Sequence, residues 1–362
     1  MRPERLAWFL KELDKRKRIV YEYLLSGRYR FTPQHIQDSV YSYMRKGGKS
    51  LRPAVLLFSC GAVGGDEERA VPAAAAIEVF HTWTLVHDDI IDRDKTRRGG
   101  PTVHEEFRRR AIEEMGYSTA EAKHYGMSVA MLAGDMQQGW AVSILADMAL
   151  VHGIDPMLAL YLIRDSEMRV LSLLIDGELR DIQYSKMPIE SLTETDILDM
   201  LWKKTGVLYE FAGKAGAMIG LNTTDPDHEY VRAISSFAGK CGTAFQLQDD
   251  ILGLVGDEKK LGKPVGSDIR EGKRTLILYH AYQNATPQQR EFMMSVVGNP
   301  KAKKADIEKV IKMLRDLGGV DYTAEIARLY IQDALAYLEK IPDSKYKKLL
   351  ETWALYMIER TF

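Results

Sequence analysis

Residues 81–104 read HTWTLVHDDIIDRDKTRRGGPTVH. The segment opens apolar and closes on Asp88, Asp89 and Asp92. Asp94 follows, then the basic run Lys95-Thr96-Arg97-Arg98 before Gly99. Extended backward, the apolar stretch becomes PAAAAIEVFHTWTLVHDDIID over residues 72–92. Pro72 suits a first helical turn, which needs no donor there. The stretch is apolar nearly all round, so a central helix is expected. A second such stretch, YVRAISSFAGKCGTAFQLQDDILGL over residues 230–254, ends on Asp249 and Asp250. The Thr224-Asp225-Pro226-Asp227 turn before it offers capping side chains. Each helix would span about 30 Å.

The rest of the chain follows the same pattern. Prolines number 12 in 362 residues, and strand-type alternation is absent. Breaks fall at residues 47–48, 64–66, 98–101, 152–156, 223–227 and 255–274, none long or polar enough for a domain linker. The expectation is one all-α domain over residues 1–362.

Composition narrows the function. Lys plus Arg number 50 against 51 Asp plus Glu, so no global basic field points to nucleic acid. Anion binding must come from local clusters. Cys60 and Cys241 stand far apart without metal-type spacing and read as reduced core thiols of a cytoplasmic protein. No apolar run reaches membrane-spanning length. The N-terminal MRPERLAWFLKELDKRKRIVYEYLL is interrupted by Glu4, Glu12, Asp14 and Glu22. It resembles neither a signal nor a transit peptide, and a helix docked on the body or on a partner subunit is expected rather than membrane insertion.

The acidic ends are locally unfavourable. A helix C-terminus carries partial negative charge and favours Lys or Arg. Carboxylates at both ends make sense if cations sit between them. Asp88 and Asp92 share a helix face at i and i+4. Hard oxygen ligands on one or two carboxylates suit Mg²⁺, with water and phosphate completing its octahedron. A solvated acidic helix end would explain one such cluster less remarkably, but not two, each after a long apolar stretch.

Cationic groups lie beside these elements in the sequence. Gly47-Gly48-Lys49-Ser50-Leu51-Arg52-Pro53 sets Lys49 and Arg52 at a helix start, where glycines and the helix N-terminus favour phosphate. Arg97 and Arg98 offer bidentate forks. Lys203-Lys204-Thr205 follows. The loop VGDEKKLGKPVGSDIREGKRT then carries Lys259, Lys260, Lys263, Lys273 and Arg274 among its glycines. Such a loop can close over a diphosphate, although a plain solvated loop has the same composition.

Together these motifs resemble the trans-isoprenyl diphosphate synthase (polyprenyl synthetase) family, from GGKSLRP at 47–53, through FQLQDDILG at 245–253, to GKPVGSDIREGKRT at 262–275. The resemblance implies a bundle of long antiparallel helices around a central cavity and a homodimer. It implies that Lys49, Arg52, His81 and Arg98 hold isopentenyl diphosphate, and that Arg97, Lys204, Lys263 and Lys273 hold the allylic diphosphate. Thr205 and Gln246 would face the developing carbocation. Asp88, Asp92 and Asp249 would ligate about three Mg²⁺ ions, supported by Asp89 and Asp250. His81 otherwise reads as a core histidine, but it lies on the same helix face as Asp88.

Two positions depart from the family pattern. Gly253 stands where many members have a third Asp, and Gly177-Glu178 where Gly-Gln is common. Neither argues against activity. The family chemistry ionises the allylic C–O bond, lets the isopentenyl double bond attack the cation, and loses a proton to the released pyrophosphate. A terpene cyclase or a squalene-type synthase would have no use for an isopentenyl site. A regulatory subunit of a heteromer would usually have lost the aspartates.

The growing chain is expected to run from the acidic cluster toward the N-terminal end of the first central helix. Thr84 lies about 6 Å below Asp88 and Phe80 about 12 Å below, with Trp83 off to the side. By resemblance, family members that stop at fifteen carbons often have aromatic residues at both the fourth and fifth positions before the motif. Only Trp83 is bulky here, so geranylgeranyl diphosphate is expected, with farnesyl diphosphate as the runner-up.

Overall fold

The computed structural model describes residues 1–255 and 266–359. It is all-α apart from one two-residue strand pair among the described residues. The helices are α1 (Pro3–Leu24), α2 (Gln34–Lys46), α3 (Leu51–Ala62), α4 (Val71–Ile91), α5 (Val103–Met115), α6 (Thr119–Leu150), α7 (Pro156–Arg164), α8 (Leu171–Tyr184), α9 (Glu194–Leu201), α10 (Val207–Leu221) and α11 (Glu229–Val255). Beyond the undescribed residues come α12 (Ser267–Glu271), α13 (Leu276–Gln283), α14 (Pro287–Val296), α15 (Lys304–Asp316), α16 (Gly319–Leu338) and α17 (Lys345–Glu359). The predicted central helices at 72–92 and 230–254 are α4 and α11, each within a residue of its expected ends. At the start of α11, His228 Nδ1 accepts from the Tyr230 N–H at 3.2 Å. No helix is long and apolar enough to cross a membrane among the described residues.

The chain divides into two compact units, one comprising residues 7–163 and 215–225, the other residues 1–6, 164–214 and 226–362. In the first, α4 packs along α6, α5 along α6, and α3 against α4. Burial explains the composition of α4. Its alanine run and Ile77, Val79 and Phe80 are sequestered from solvent, while His87, Asp88 and Asp92 at its far end are half-buried. Tyr43, Val86, Val103, Phe107, Val129 and Ala130 form a satellite core beneath that end.

The strand pair joins Thr96–Arg97 (β1) to Gly100–Pro101 (β2), antiparallel. Its two turn residues, Arg98 (φ 52°) and Gly99 (φ 73°), are both left-handed, as a tight two-residue hairpin requires.

In the second unit, α11 packs along α16 and α17. Trp353 of α17 is wholly buried between Tyr209 and Phe237, with ring centroids 5.4 and 5.6 Å away. A second core, including Ile251, Leu254, Ile277 and Leu314, lies under the end of α11. Two π-helical turns, Asp165–Val170 and Trp202–Gly206, interrupt the helices of this unit.

Candidate active site

In the first unit, α4 delivers Asp88 and Asp89 in its last turn and Asp92 as its C-cap. Asp89 is fully buried. Its Oδ2 accepts from the Tyr43 hydroxyl, and its Oδ1 accepts from Arg97 Nε at 2.6 Å. Arg97 Nη2 also lies 3.6 Å from Asp88 Oδ2 and 3.7 Å from Asp94 Oδ2. Burial opposes the charge on Arg97, but Asp89 and then Asp88 outweigh it, so the guanidinium stays protonated.

Arg98, at the hairpin tip, turns the other way. Its Nη1 donates to the Tyr43 carbonyl at 2.9 Å. A Cβ on Gly48 would lie 2.6 Å from Arg98 Nη2, so a glycine is needed for the guanidinium to come this near. Arg52, in the first turn of α3, donates through Nη1 to His81 Nε2 at 3.1 Å. Burial, then Arg52, Arg98 and Arg97, push the His81 imidazole well below its ordinary range. His81 is thus a neutral acceptor among cations. Three of the four residues expected to hold isopentenyl diphosphate come together here. The fourth, Lys49, is exposed just before α3.

In the second unit, Asp249 and Asp250 lie near the C-terminal end of α11. Gln246 links inward and outward. Its Nε2 donates to Asp250 Oδ1 at 2.9 Å, and its Oε1 accepts from the Thr205 hydroxyl at 2.9 Å. Thr205 and Gln246, both expected to face the carbocation, are thus hydrogen-bonded to each other. Burial, then Asp268 and Asp249, push the Asp250 carboxyl well above its ordinary range. Asp268 Oδ2 lies 3.3 Å from where a Cβ on Gly253 would sit, so its carboxylate stands beside the place of the missing third aspartate.

Lys204 and Thr205 ride on the π-helical turn Trp202–Gly206. Such turns re-aim side chains and concentrate at functional sites. A Cβ on Gly177 would lie 2.5 Å from Lys204 N, so α8 can approach this turn only with glycine there. The turn is braced by Glu210, which accepts from Trp202 Nε1 at 3.1 Å and from Arg169 Nη1 at 2.8 Å. Lys204 Nζ donates to Asp181 Oδ2 at 2.7 Å and lies 2.9 Å from Glu178 Oε2. Lys273 Nζ is 3.9 Å from the same Asp181 oxygen and 3.1 Å from Glu271 Oε2. Lys263, expected on the allylic diphosphate, lies outside the described residues, as do Lys259 and Lys260.

Among the described residues no three His, Cys, Asp or Glu side chains converge into a closed metal cage. The donors present still fit Mg²⁺. They are hard carboxylate oxygens on the half-buried Asp88, Asp92 and Asp249, and the buried Asp250 Oδ2 has no hydrogen-bond partner among the described residues. One or two such ligands per ion, completed by water and substrate oxygens, is the usual Mg²⁺ arrangement.

Phe80 and Trp83 are buried, edge to face at 5.1 Å, and Trp83 meets His87 edge to face at 5.7 Å. Half-buried Thr84 donates its hydroxyl to the His81 carbonyl at 2.8 Å. Sequence reasoning missed Tyr43, Asp181 and Asp268. Asp181 had a signal, since it follows Glu178 by one helical turn and shares its face. Tyr43 had none, because its partner is 46 residues away.

The profile of the polyprenyl synthetase family matches residues 33–314. A geranylgeranyl diphosphate synthase of Saccharolobus solfataricus is 33% identical over 90% of each chain. A geranylfarnesyl diphosphate synthase of Aeropyrum pernix is 32% identical over 91% of this chain and 95% of its own. Among solved structures, a geranylgeranyl pyrophosphate synthetase of Pyrococcus horikoshii superposes with a TM-score of 0.82 at 35% identity, covering 98% of this chain and 99% of its own. A geranylgeranyl pyrophosphate synthase of Corynebacterium glutamicum, complexed with isoprenyl diphosphate and magnesium, gives 0.81 at 28% identity over 97% of this chain and 98% of its own.

Proposed function

The chain belongs to the polyprenyl synthetase family, and we propose that it is a short-chain trans-prenyltransferase that condenses isopentenyl diphosphate with dimethylallyl, geranyl and farnesyl diphosphates to give geranylgeranyl diphosphate. The observation that carries the reading is the cationic pocket of Arg52, His81 and Arg98, distinct from Arg97 beside it. A terpene cyclase, with one diphosphate to bind, would not need it. Lys49 joins the pocket for isopentenyl diphosphate, while Arg97, Lys204, Lys263 and Lys273 take the allylic diphosphate.

Asp88, Asp92 and Asp249 would hold about three Mg²⁺ ions, with Asp89 and Asp250 in support. When bound, the ions neutralise the allylic diphosphate as Lewis acids. Lys204, Lys273 and Arg97 add fixed positive charge where the pyrophosphate departs, and the allylic C–O bond breaks. The Thr205 hydroxyl donates to Gln246, which leaves oxygen lone pairs of both residues to face the cation. The isopentenyl double bond forms the new C–C bond, and the departing pyrophosphate takes the proton. No side chain acts as a nucleophile.

We further infer a cytoplasmic homodimer. Its support is the exposed stripe Ile175, Leu179 and Ile182, at helical spacing on α8, with Met131, Leu132 and Met136 exposed on α6. Free, buried Cys60 and Cys241 accord with a reducing compartment.

Assay of the purified chain with isopentenyl and allylic diphosphates tests the reading. Chain elongation with Mg²⁺, abolished by chelator, is expected. Cyclic hydrocarbons from the allylic substrate alone would establish a cyclase, and inactivity without a second subunit would establish a regulatory chain.

A further inference from the structure

Tyr43 lies on α2, outside every motif that marks the family, yet it reaches both arginines of the hairpin by different atoms. Its hydroxyl donates to Asp89 Oδ2, and the other oxygen of that carboxylate holds Arg97 Nε at 2.6 Å. Its backbone carbonyl accepts from Arg98 Nη1 at 2.9 Å. The same hydroxyl accepts from the Val103 N–H at 3.1 Å, fixing the chain where the hairpin ends and α5 begins. One turn further along α2, Lys46 Nζ donates to the Pro101 carbonyl at 2.8 Å. The end of α2 is therefore the template on which the hairpin is set.

The hairpin needs such a template. Arg98 sits at φ 52°, a conformation that side-chain-bearing residues adopt only when their surroundings hold them there. Tyr43 and Asp89 are both sequestered from solvent, each at 0% exposure. A buried carboxylate between a phenol and a guanidinium has its hydrogen-bonding capacity directed along fixed lines. Asp89 is thus oriented on one side by Tyr43 and orients Arg97 on the other.

We propose that Tyr43 is a positioning residue for the arginine pair: its hydroxyl, acting through Asp89, aims Arg97 at the allylic diphosphate, while its carbonyl anchors Arg98 at the isopentenyl diphosphate. The proposal rests on the assignment of the two arginines made above. It separates the two functions of a single residue, because only the hydroxyl can be removed by substitution.

Tyr43→Phe keeps the ring in its core and leaves the carbonyl in place. The KM for the allylic substrate is expected to rise about five- to tenfold, within the range of one ordinary hydrogen bond because the hydroxyl acts on Arg97 only through Asp89. The KM for isopentenyl diphosphate should stay within about twofold. Asp89→Asn, which keeps the shape, should give the same one-sided shift and serves if the tyrosine variant folds poorly. A merely structural hydroxyl would lower the melting temperature and kcat and leave both KM values in their original ratio; that result overturns the proposal. Arg97→Ala is the control. If it raises the allylic KM while Tyr43→Phe and Asp89→Asn do not, the relay is wrong and the arginine assignment stands. If Arg97→Ala leaves the allylic KM unchanged, the assignment falls and the proposal with it.

Discussion

Lys204 is held by Asp181 at 2.7 Å, with Glu178 2.9 Å from the same ammonium. Glu178 occupies the position where a glutamine is common by resemblance. An allylic diphosphate must compete with two carboxylates for this lysine. Glu178→Gln removes one competing charge and keeps the shape. The allylic KM should fall by about two- to fivefold, the range of one partly exposed ion pair. Steady-state kinetics at fixed isopentenyl diphosphate measure it. An increase would mean that Glu178 contributes to binding instead of opposing it.

Removal of an aspartate should act on chemistry rather than folding. Asp88→Ala and Asp249→Ala each take a candidate Mg²⁺ ligand from a half-buried site and leave the helix core untouched. Turnover should drop by several orders of magnitude while far-ultraviolet circular dichroism is unchanged. Near-normal activity in either variant would reject the ligand assignment.

Arg98→Ala should raise mainly the KM for isopentenyl diphosphate, because Arg98 lies with Arg52 and His81 rather than among the aspartates. Its influence on His81, together with that of Arg52, is part of what depresses the imidazole. An equal rise for both substrates would refute the division of the pair.

His81 also predicts a pH dependence. Its folded-state pKa lies well below the ordinary value of 6.5. The unfolded chain therefore binds the extra proton first, and stability from this residue is complete above about pH 6.5 and declines as pH falls below it. His81→Gln keeps an acceptor for Arg52 and cannot titrate. The difference in melting temperature between the parent and this variant should change between pH 5.5 and 7.5, with the parent losing more on acidification. A difference independent of pH would mean that the fold does not depress this imidazole.

Trp83 tests product length. It is buried against Phe80 and His87 of its own helix. If it limits the tunnel, Trp83→Ala removes a large side chain from the wall, and chromatography of dephosphorylated products should show chains longer than the parent's. Unchanged length would leave Trp83 as packing and move the limit to Phe80 or to another helix.

The sequence exposed the two acid-ended helices because an unbroken apolar run and a carboxylate pair are both local features. Arg52 and His81 were legible as candidates, and their contact required only that α3 and α4 pack together. Asp181, Asp268 and Tyr43 were not found for different reasons. Asp181 is an ordinary surface-type residue until a π-helical turn brings Lys204 to it. Asp268 becomes interesting only because Gly253 has no side chain and leaves the space open. Tyr43 has an unremarkable sequence neighbourhood, and its role depends on a hairpin whose turn residues are both left-handed. The strand pair itself is too short for any alternation to betray it.

The π-helical turn Trp202–Gly206 has a consequence for how such a chain can change over generations. A turn of this kind holds one residue more than a regular α-helical turn. Deleting a single codon there would let the helix close smoothly, with its backbone hydrogen bonds in ordinary register. The flanking helices would keep their relative orientation, and only residues of the turn itself would be turned, by about 100° each, carrying Lys204 or Thr205 out of reach of its present partner. The folded scaffold would survive with its aspartates intact. A one-residue deletion in this turn would therefore disarm Lys204 or Thr205 while leaving both aspartate motifs unchanged.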